Sequence, residues 1–322
     1  MTVIASPSPP KSPAGDAVHA FDAAEAAVLA RYGVVATARF VDLAEPALRV
    51  RVLESGEGPP VLLLPGDGGV AAAWAPLMAE LPGYRTIVLD RPGFGCSERF
   101  DYRGCDLRPH AVTLLQSLLD ALELGAVPII GSSGGAQWSL WLGIDVPDRV
   151  SGLVAMGTPA VCLPGFHPLP PMRVLTVPGL GQLLTRMPAR SPKATGRMLA
   201  PTDARLLEHP EIVALYHAAG KLPGYGSSVA TIFQRSMRPG GFPRRCMLIG
   251  DDELRRLDRP VLFVYGEDEP YGSPDVARRA AALMPDARVE LISRAWHHPW
   301  LADGPGVGRI VDAFLAGLRA GR

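Results

Sequence analysis

A glycine-rich segment offers the clearest candidate for a nucleophile. Residues 131–135 read Gly-Ser-Ser-Gly-Gly and follow an apolar run, residues 127–130, that predicts a buried strand. A serine on a sharp turn between strand and helix needs small flanking residues, because the backbone there is strained. Ser133 is centred between glycines at 131 and 135, whereas Ser132 is not, so Ser133 is the preferred nucleophile. A tight glycine turn with incidental serines would give the same local pattern.

The other groups that a reactive serine requires occur later in the chain. A serine hydroxyl is a weak nucleophile and needs an imidazole to take its proton, and a carboxylate fixes the tautomer of that imidazole. Two adjacent acids, Asp268 and Glu269, follow an apolar run that predicts a strand, and two adjacent histidines, His297 and His298, precede a proline. These residue types indicate acyl transfer to a serine. The acid could be either Asp268 or Glu269, and the histidine either His297 or His298.

Several motifs together resemble the α/β-hydrolase superfamily, over roughly residues 38–160 and 246–320. Residues 90–97, Asp-Arg-Pro-Gly-Phe-Gly-Cys-Ser, are similar to the family's D-x-P-G-x-G-x-S turn. Residues 65–69, Pro-Gly-Asp-Gly-Gly, stand where members usually carry His-Gly and the oxyanion loop. The chain order serine, acid, histidine is the order of that fold. The resemblance implies an α/β fold with a mostly parallel eight-stranded sheet, flanking helices and an inserted helical lid.

The resemblance also assigns roles to residues. The triad acid of the family commonly stands three residues past a glycine, which favours Glu269 over Asp268. The triad histidine commonly has a proline two residues later, which favours His297 over His298. The two oxyanion amides would be those of Asp67 and Gly134.

The side chains that the sequence predicts to line the substrate pocket stand beside catalytic turns or in the lid; they are Phe94, Trp300, Tyr271 and His167. Family members that open epoxides or displace halides carry an aspartate at the position of Ser133, so ester hydrolysis is the favoured reaction. Pro65 replaces the usual histidine of the oxyanion loop, and we expect a changed loop shape with retained catalysis.

Strand and helix patterns alternate along most of the chain, which favours a parallel sheet covered on both faces. Residues 160–245 interrupt this alternation with many prolines and short helical pieces, and such a length is too great for a structureless loop. We therefore predict a flexible tail (1–16), a core (17–159), a helical lid (160–245) and a second part of the core (246–322).

Composition narrows the classes of partner. Lysine plus arginine equals aspartate plus glutamate at 32 each, so a nucleic-acid partner or an anionic membrane surface is not expected. The four cysteines show no metal-ligand spacing, and we expect neither a metal nor a cofactor. The first residues lack the pattern of a secretory signal and no apolar run is long enough for a membrane helix, which favours a cytoplasmic protein.

Two other classes of function remain open at this level. The same residues could cleave a carbon–carbon bond, a lactone or a thioester. The chain could also be a non-hydrolytic biosynthetic or ligand-binding protein that has kept the fold. The apolar composition of the predicted lid favours a small to medium, largely apolar substrate. Oligomeric state is not predicted.

Overall fold

The computed structural model describes residues 13–320. Residues 1–12 of the predicted tail lie outside the described residues, and residues 13–16 of that tail belong to a helix. Helix α1 (Pro13–Arg31) begins at residue 13 rather than 17, with Asp16 in its first turn. Proline suits this position because its missing N–H would have no helical partner there, and an acid suits the positive end of the helix.

Eight of the described strands form one sheet, and two very short strands pair separately. The strands are β1 (Ala36–Leu43), β2 (Leu48–Ser55), β3 (Pro60–Leu64), β4 (Arg85–Asp90), β5 (Val127–Ser132), β6 (Val150–Met156), β7 (Met237–Arg238), β8 (Phe242–Pro243), β9 (Val261–Gly266) and β10 (Ala287–Ile292). The large sheet has the order β1-β2-β4-β3-β5-β6-β9-β10. Only the β1–β2 and β2–β4 pairs are antiparallel, so the predicted sheet is confirmed.

Helices connect and cover the strands. The α-helices after α1 are α2 (Ala75–Ala79), α3 (Leu107–Ala121), α4 (Gly134–Asp145), α5 (Pro170–Leu175), α6 (Leu180–Thr185), α7 (Pro192–Leu199), α8 (Pro210–Ala219), α9 (Tyr225–Ser236), α10 (Asp251–Arg256), α11 (Asp275–Ala281), α12 (Pro299–Ala302) and α13 (Gly304–Ala320). Short 3-10 helices occupy Ala71–Trp74, Tyr102–Gly104, Pro147–Arg149, Ala204–Glu208 and Arg245–Met247.

The central strands are buried on both faces, as their continuous apolar sequences predict. In β3, Leu62 and Leu64 pack into one hydrophobic cluster with α3 and α4, while Val61 and Leu63 pack into a second cluster with α2 and α13. The two helix layers hold the sheet rigidly, so the loops at the carboxyl ends of its strands have fixed positions. In open α/β sheets this is the edge at which ligands bind.

The segment between β6 and β9 is mostly helical and contains α5 to α10 together with the β7–β8 pair. We call this region, residues 157–260, the inserted segment. Helix α8 of the inserted segment packs on α1, and α6 packs on α9. None of the described helices combines the length and apolar character that a bilayer crossing requires.

Candidate active site

Ser133 occupies the sharp bend between β5 and α4. Its backbone has φ 51° and ψ −119°, in the positive-φ region that non-glycine residues rarely adopt. The flanking glycines are required by close packing. An added Cβ at Gly131 would lie 2.6 Å from Ala136 N, and one at Gly135 would overlap the carbonyl oxygen of Leu64. The bend therefore presents the serine hydroxyl at the carboxyl edge of the sheet.

His297 and Glu269 form a buried pair at the same edge. His297 Nδ1 lies 2.9 Å from Glu269 Oε2 and 3.0 Å from Oε1. The carboxylate also accepts the backbone N–H groups of Thr158, at 3.0 Å, and Tyr271, at 3.1 Å. The Glu269 side chain is fully buried and that of His297 is 4% exposed. Because the carboxylate accepts the Nδ1 proton, the neutral imidazole has an unprotonated Nε2.

The two alternative residues have different surroundings. Asp268 is exposed, and its N–H donates to the carbonyl of Ala295. His298 pairs with another acid, since its Nδ1 lies 3.0 Å from Asp203 Oδ2 and its N–H donates to the same oxygen. Asp203 belongs to the inserted segment and is fully buried. Thus two imidazole–carboxylate pairs stand side by side, with the rings of His297 and His298 5.1 Å apart.

Gly157, which the sequence analysis missed, allows the His297–Glu269 pair to form. It follows β6 directly and has φ +66°. A Cβ at this position would lie 2.5 Å from the carbonyl oxygen of His297 and 2.9 Å from Glu269 Oε2. The backbone of β6 therefore approaches the pair too closely for any side chain. A glycine immediately after a buried strand was the only signal available in the sequence.

A cavity of about 590 Å³ lies between the sheet edge and the inserted segment. It is lined from the sheet side by Gly66, Asp67, Ser133, Tyr271, His297 and Trp300. Ser133 Oγ and His297 make no hydrogen bond to each other in the described structure, although both line this cavity. Catalytic hydrogen bonds are often long without substrate and shorten when it binds.

Two of the four predicted pocket residues line the cavity, namely Tyr271 and Trp300. Phe94 does not, because it is fully buried in aromatic packing, with its ring 5.7 Å from that of Tyr225. His167 is exposed and outside the cavity, and it contacts Tyr271 only through a backbone hydrogen bond of 2.6 Å. The structure thus removes Phe94 and His167 from the pocket.

Asp67 and Gly134, whose amides are the predicted oxyanion donors, lie against each other, and Gly134 follows Ser133 directly. Gly134 is the first residue of α4, so its N–H has no acceptor within the helix. Asp67 follows β3, and its carboxylate lies against Gly134 so closely that a Cβ on the glycine would overlap it. Gly68, with φ +80°, lies in the same loop, and its carbonyl oxygen accepts a hydrogen bond of 2.6 Å from Tyr225 Oη. The inserted segment therefore contacts the loop that carries Asp67.

The described residues contain no group of three or more His, Cys, Asp or Glu arranged to hold a metal ion. The expectation that the chain needs neither metal nor cofactor stays a prediction.

Comparison with protein families agrees with this geometry. Residues 59–301, more than half of the chain, match a family model described as alpha/beta hydrolase fold. The chain belongs to the α/β-hydrolase family. The family, the fold class and the α/β-hydrolase enzyme predicted from the sequence are confirmed.

Curated relatives of this α/β hydrolase include two bacterial enzymes. A 2-hydroxy-6-oxo-2,4-heptadienoate hydrolase from Pseudomonas putida is 26% identical over 81% of this chain and 90% of the relative. A 2-hydroxymuconate semialdehyde hydrolase from Pseudomonas sp. strain CF600 is 27% identical, over 84% of this chain and 91% of the relative.

Solved structures share the fold of this α/β hydrolase. The carboxylesterase CesB from Bacillus subtilis superposes with a TM-score of 0.74 at 22% identity, covering 94% of this chain and 99% of that one. A 2-hydroxy-6-oxo-6-phenylhexa-2,4-dienoate hydrolase from Rhodococcus sp. strain RHA1 gives 0.70 at 20% identity, covering 86% and 98%.

Behind the loop that carries Asp67, this α/β hydrolase buries an arginine. Arg91 is 1% exposed, and its Nη2 lies 2.7 Å from Asp67 Oδ1. Its guanidinium also stands over the ring of Trp138, 4.7 Å from the centroid. The Nε and Nη1 atoms of Arg91 are buried without a partner. Because removal of one partner leaves an uncompensated buried charge, Asp67 is important for stability as well as for the loop.

His110 lies in the same buried region. Its ring stacks on that of Phe100 and packs edge to face with that of Trp138. Burial, and secondarily the charge of Arg91, lowers the pKa of His110 to about 4 from the ordinary 6.5. The unfolded chain therefore binds a proton at higher pH than the folded chain does. Stability from this residue is complete above pH 6.5 and is lost as the pH falls towards 4.

We expect His110→Phe to keep the stacking and remove this acid sensitivity. Between pH 7 and pH 4 the wild type should lose about 3 kcal/mol more of unfolding free energy than the variant does. Urea titrations across this pH range measure the difference. The exposed His167→Phe serves as a control that should behave like the wild type, and an equal acid loss in the His110 variant would contradict the assignment.

Proposed function

We propose that the chain is a serine hydrolase that cleaves an ester-like bond through an acyl-enzyme. Ser133 is the nucleophile, His297 is the general base, and Glu269 orients the imidazole. The observation that carries this proposal is the buried His297–Glu269 pair, whose histidine lines the same cavity as a serine on a positive-φ bend. Burying a carboxylate and an imidazole together costs desolvation free energy. Such pairs are therefore more typical of functional sites than of simple packing.

The reaction would proceed in two halves. Ser133 Oγ attacks the substrate carbonyl while His297 Nε2 accepts the hydroxyl proton, and the tetrahedral oxyanion binds the N–H groups of Asp67 and Gly134. The imidazolium then returns this proton to the leaving group, which departs and leaves an acyl-serine. Water, deprotonated by His297, attacks the acyl carbon, and the serine regains its proton as the acid product leaves.

The cavity lining favours a neutral, largely apolar acyl compound of small to medium size. Among the described residues that line it there is no lysine or arginine, and Asp67 is the one acid. The stacked rings of Trp74 and Trp300, with centroids 4.7 Å apart, form part of an apolar wall. A carboxylate-bearing substrate would have no cation to bind in this cavity and would meet Asp67.

Carbon–carbon bond hydrolysis is the second candidate, because several relatives are named for 2-hydroxy-6-oxo-dienoates. Those names denote carboxylates, and the lack of a lining cation in the described cavity favours an ester over such a substrate. Lactones and thioesters fit the same triad. In each case residues 160–245 would act as a lid, since side chains of this region, such as Met172 and Leu199, complete the cavity.

Covalent labelling with a fluorophosphonate probe, followed by peptide mapping, tests the proposal. We expect the label on Ser133 in the wild type and no label in Ser133→Ala. A panel of neutral esters, lactones, thioesters and a 2-hydroxy-6-oxo-dienoate then separates the reactions, with the neutral esters expected to give the highest kcat/KM. A folded protein that takes no label and turns over none of the panel would favour a non-hydrolytic binding or biosynthetic role.

A further inference from the structure

Part of the inserted segment carries a strong local charge that the balanced composition of the whole chain conceals. Residues 160–202 contain no aspartate or glutamate. The same stretch contains five cations, all of which are exposed: Arg173, Arg186, Arg190, Lys193 and Arg197. None of the five forms an ion pair with any described residue, whereas surface arginines such as Arg103 and Arg278 pair with a nearby aspartate.

Large apolar side chains are exposed among these cations. In a soluble fold such residues are mostly buried or scattered singly. Here they fall on or next to the short helices α5, α6 and α7, and they are Val174 (38% exposed), Leu180 (43%), Leu183 (55%), Leu184 (40%), Met187 (65%) and Met198 (59%). These six apolar residues and the five cations together form what we call the cationic apolar face.

The cationic apolar face adjoins the cavity. Val174, Leu184, Met187 and Met198 belong to the face and also line the cavity that contains Ser133. The apolar surface is therefore continuous from the solvent-exposed helices to the proposed nucleophile. A molecule that binds the face is held at the mouth of the cavity.

We propose that the cationic apolar face binds the surface of an anionic phospholipid bilayer. Clustered cations bind anionic headgroups, and exposed Leu, Met and Val side chains enter the boundary between headgroups and acyl chains. A second copy of the chain would not fit, because a two-fold contact would bring the five cations of one face against the five cations of the other. Docking there would bring the mouth of the cavity to a phase in which neutral, apolar esters dissolve.

Sedimentation with phospholipid vesicles tests this proposal on the full chain. We expect binding to vesicles that contain phosphatidylglycerol, weaker binding as salt is raised, and little binding to pure phosphatidylcholine. Arg186→Gln/Arg190→Gln/Lys193→Gln should weaken binding roughly 100-fold, because each cation contributes a factor of about five. The matched control, Arg256→Gln/Arg288→Gln/Arg309→Gln, removes the same charge from exposed positions outside the cationic apolar face and should bind like the wild type.

Leu180→Gln/Leu183→Gln tests the apolar half of the face without changing the cavity, since neither residue lines it. We expect weaker binding to the anionic vesicles and unchanged hydrolysis of a water-soluble ester. The proposal fails if the wild type does not bind anionic vesicles at low salt, if the two charge variants bind equally, or if neutral vesicles bind as well. Ser133→Ala should bind vesicles normally, so the docking is testable even if the proposed hydrolysis is wrong.

Discussion

Ser133→Ala is expected to lower kcat/KM for a neutral ester by roughly 10⁵ to 10⁶-fold while the protein stays folded. The alanine removes the one oxygen that can form the acyl intermediate and retains the backbone of the bend. Alanine also suits the bend sterically, because only the hydroxyl is lost. Steady-state kinetics, with thermal unfolding as a check on the fold, measure the effect.

Ser132→Ala is the matched control for this experiment. Ser132 is adjacent in sequence and buried, and its Oγ has no hydrogen-bond partner. Its loss should change kcat/KM by less than about ten-fold, since it supplies neither a nucleophile nor a partner for the base. If the two serine variants lose activity equally, or if only the Ser132 variant loses it, the nucleophile has been assigned to the wrong residue.

Glu269→Gln should reduce kcat by roughly 10⁴-fold with a smaller change in KM, which makes it the second largest effect that we expect. Glutamine has nearly the same shape, but its amide can donate to His297 Nδ1 and so favours the tautomer whose Nε2 carries the proton. Such an imidazole cannot accept the Ser133 proton. Glutamine also has one acceptor oxygen for the N–H groups of Thr158 and Tyr271, so unfolding free energy should fall by about 1–3 kcal/mol.

Asp268→Asn provides the comparison for the acid. Asp268 is exposed, makes no ion pair with any described residue and contacts Ala295 only through its backbone. The activity and stability of the Asp268→Asn variant should match those of the wild type. A loss of activity in Asp268→Asn, with Glu269→Gln active, would show that the buried carboxylate stabilises the fold and that the triad acid is elsewhere.

The sequence was sufficient for the fold because its strongest local signals were consistent with each other. Apolar runs such as residues 61–64 and 127–130 predicted strands buried on both faces, and the structure places them centrally in the sheet. The bend at Ser133 was predictable because glycine is required on both sides of it. Glu269 was preferred over Asp268 from its spacing to Gly266, and the structure pairs it with His297.

The remaining features depend on distant parts of the chain. Asp203 contacts His298 across 95 positions of sequence, and no local pattern indicates that pairing. Phe94 was assigned to the pocket from its position in a turn, but burial against Tyr225 removed it from the cavity. Gly157 matters only because two other loops approach its backbone. Local sequence predicts helices, strands and bends, whereas tertiary contacts decide which side chains face the cavity.

The bond from Tyr225 Oη to the Gly68 carbonyl, 2.6 Å long, makes α9 a structural support of the loop that carries Asp67. Exchanging the inserted segment for that of another member of the family would therefore be more than a change of specificity. A chimaera whose replacement helix lacks a hydroxyl at this position leaves the Gly68 carbonyl without its donor and the loop free to shift. Engineered segment swaps on this scaffold should carry the tyrosine with them.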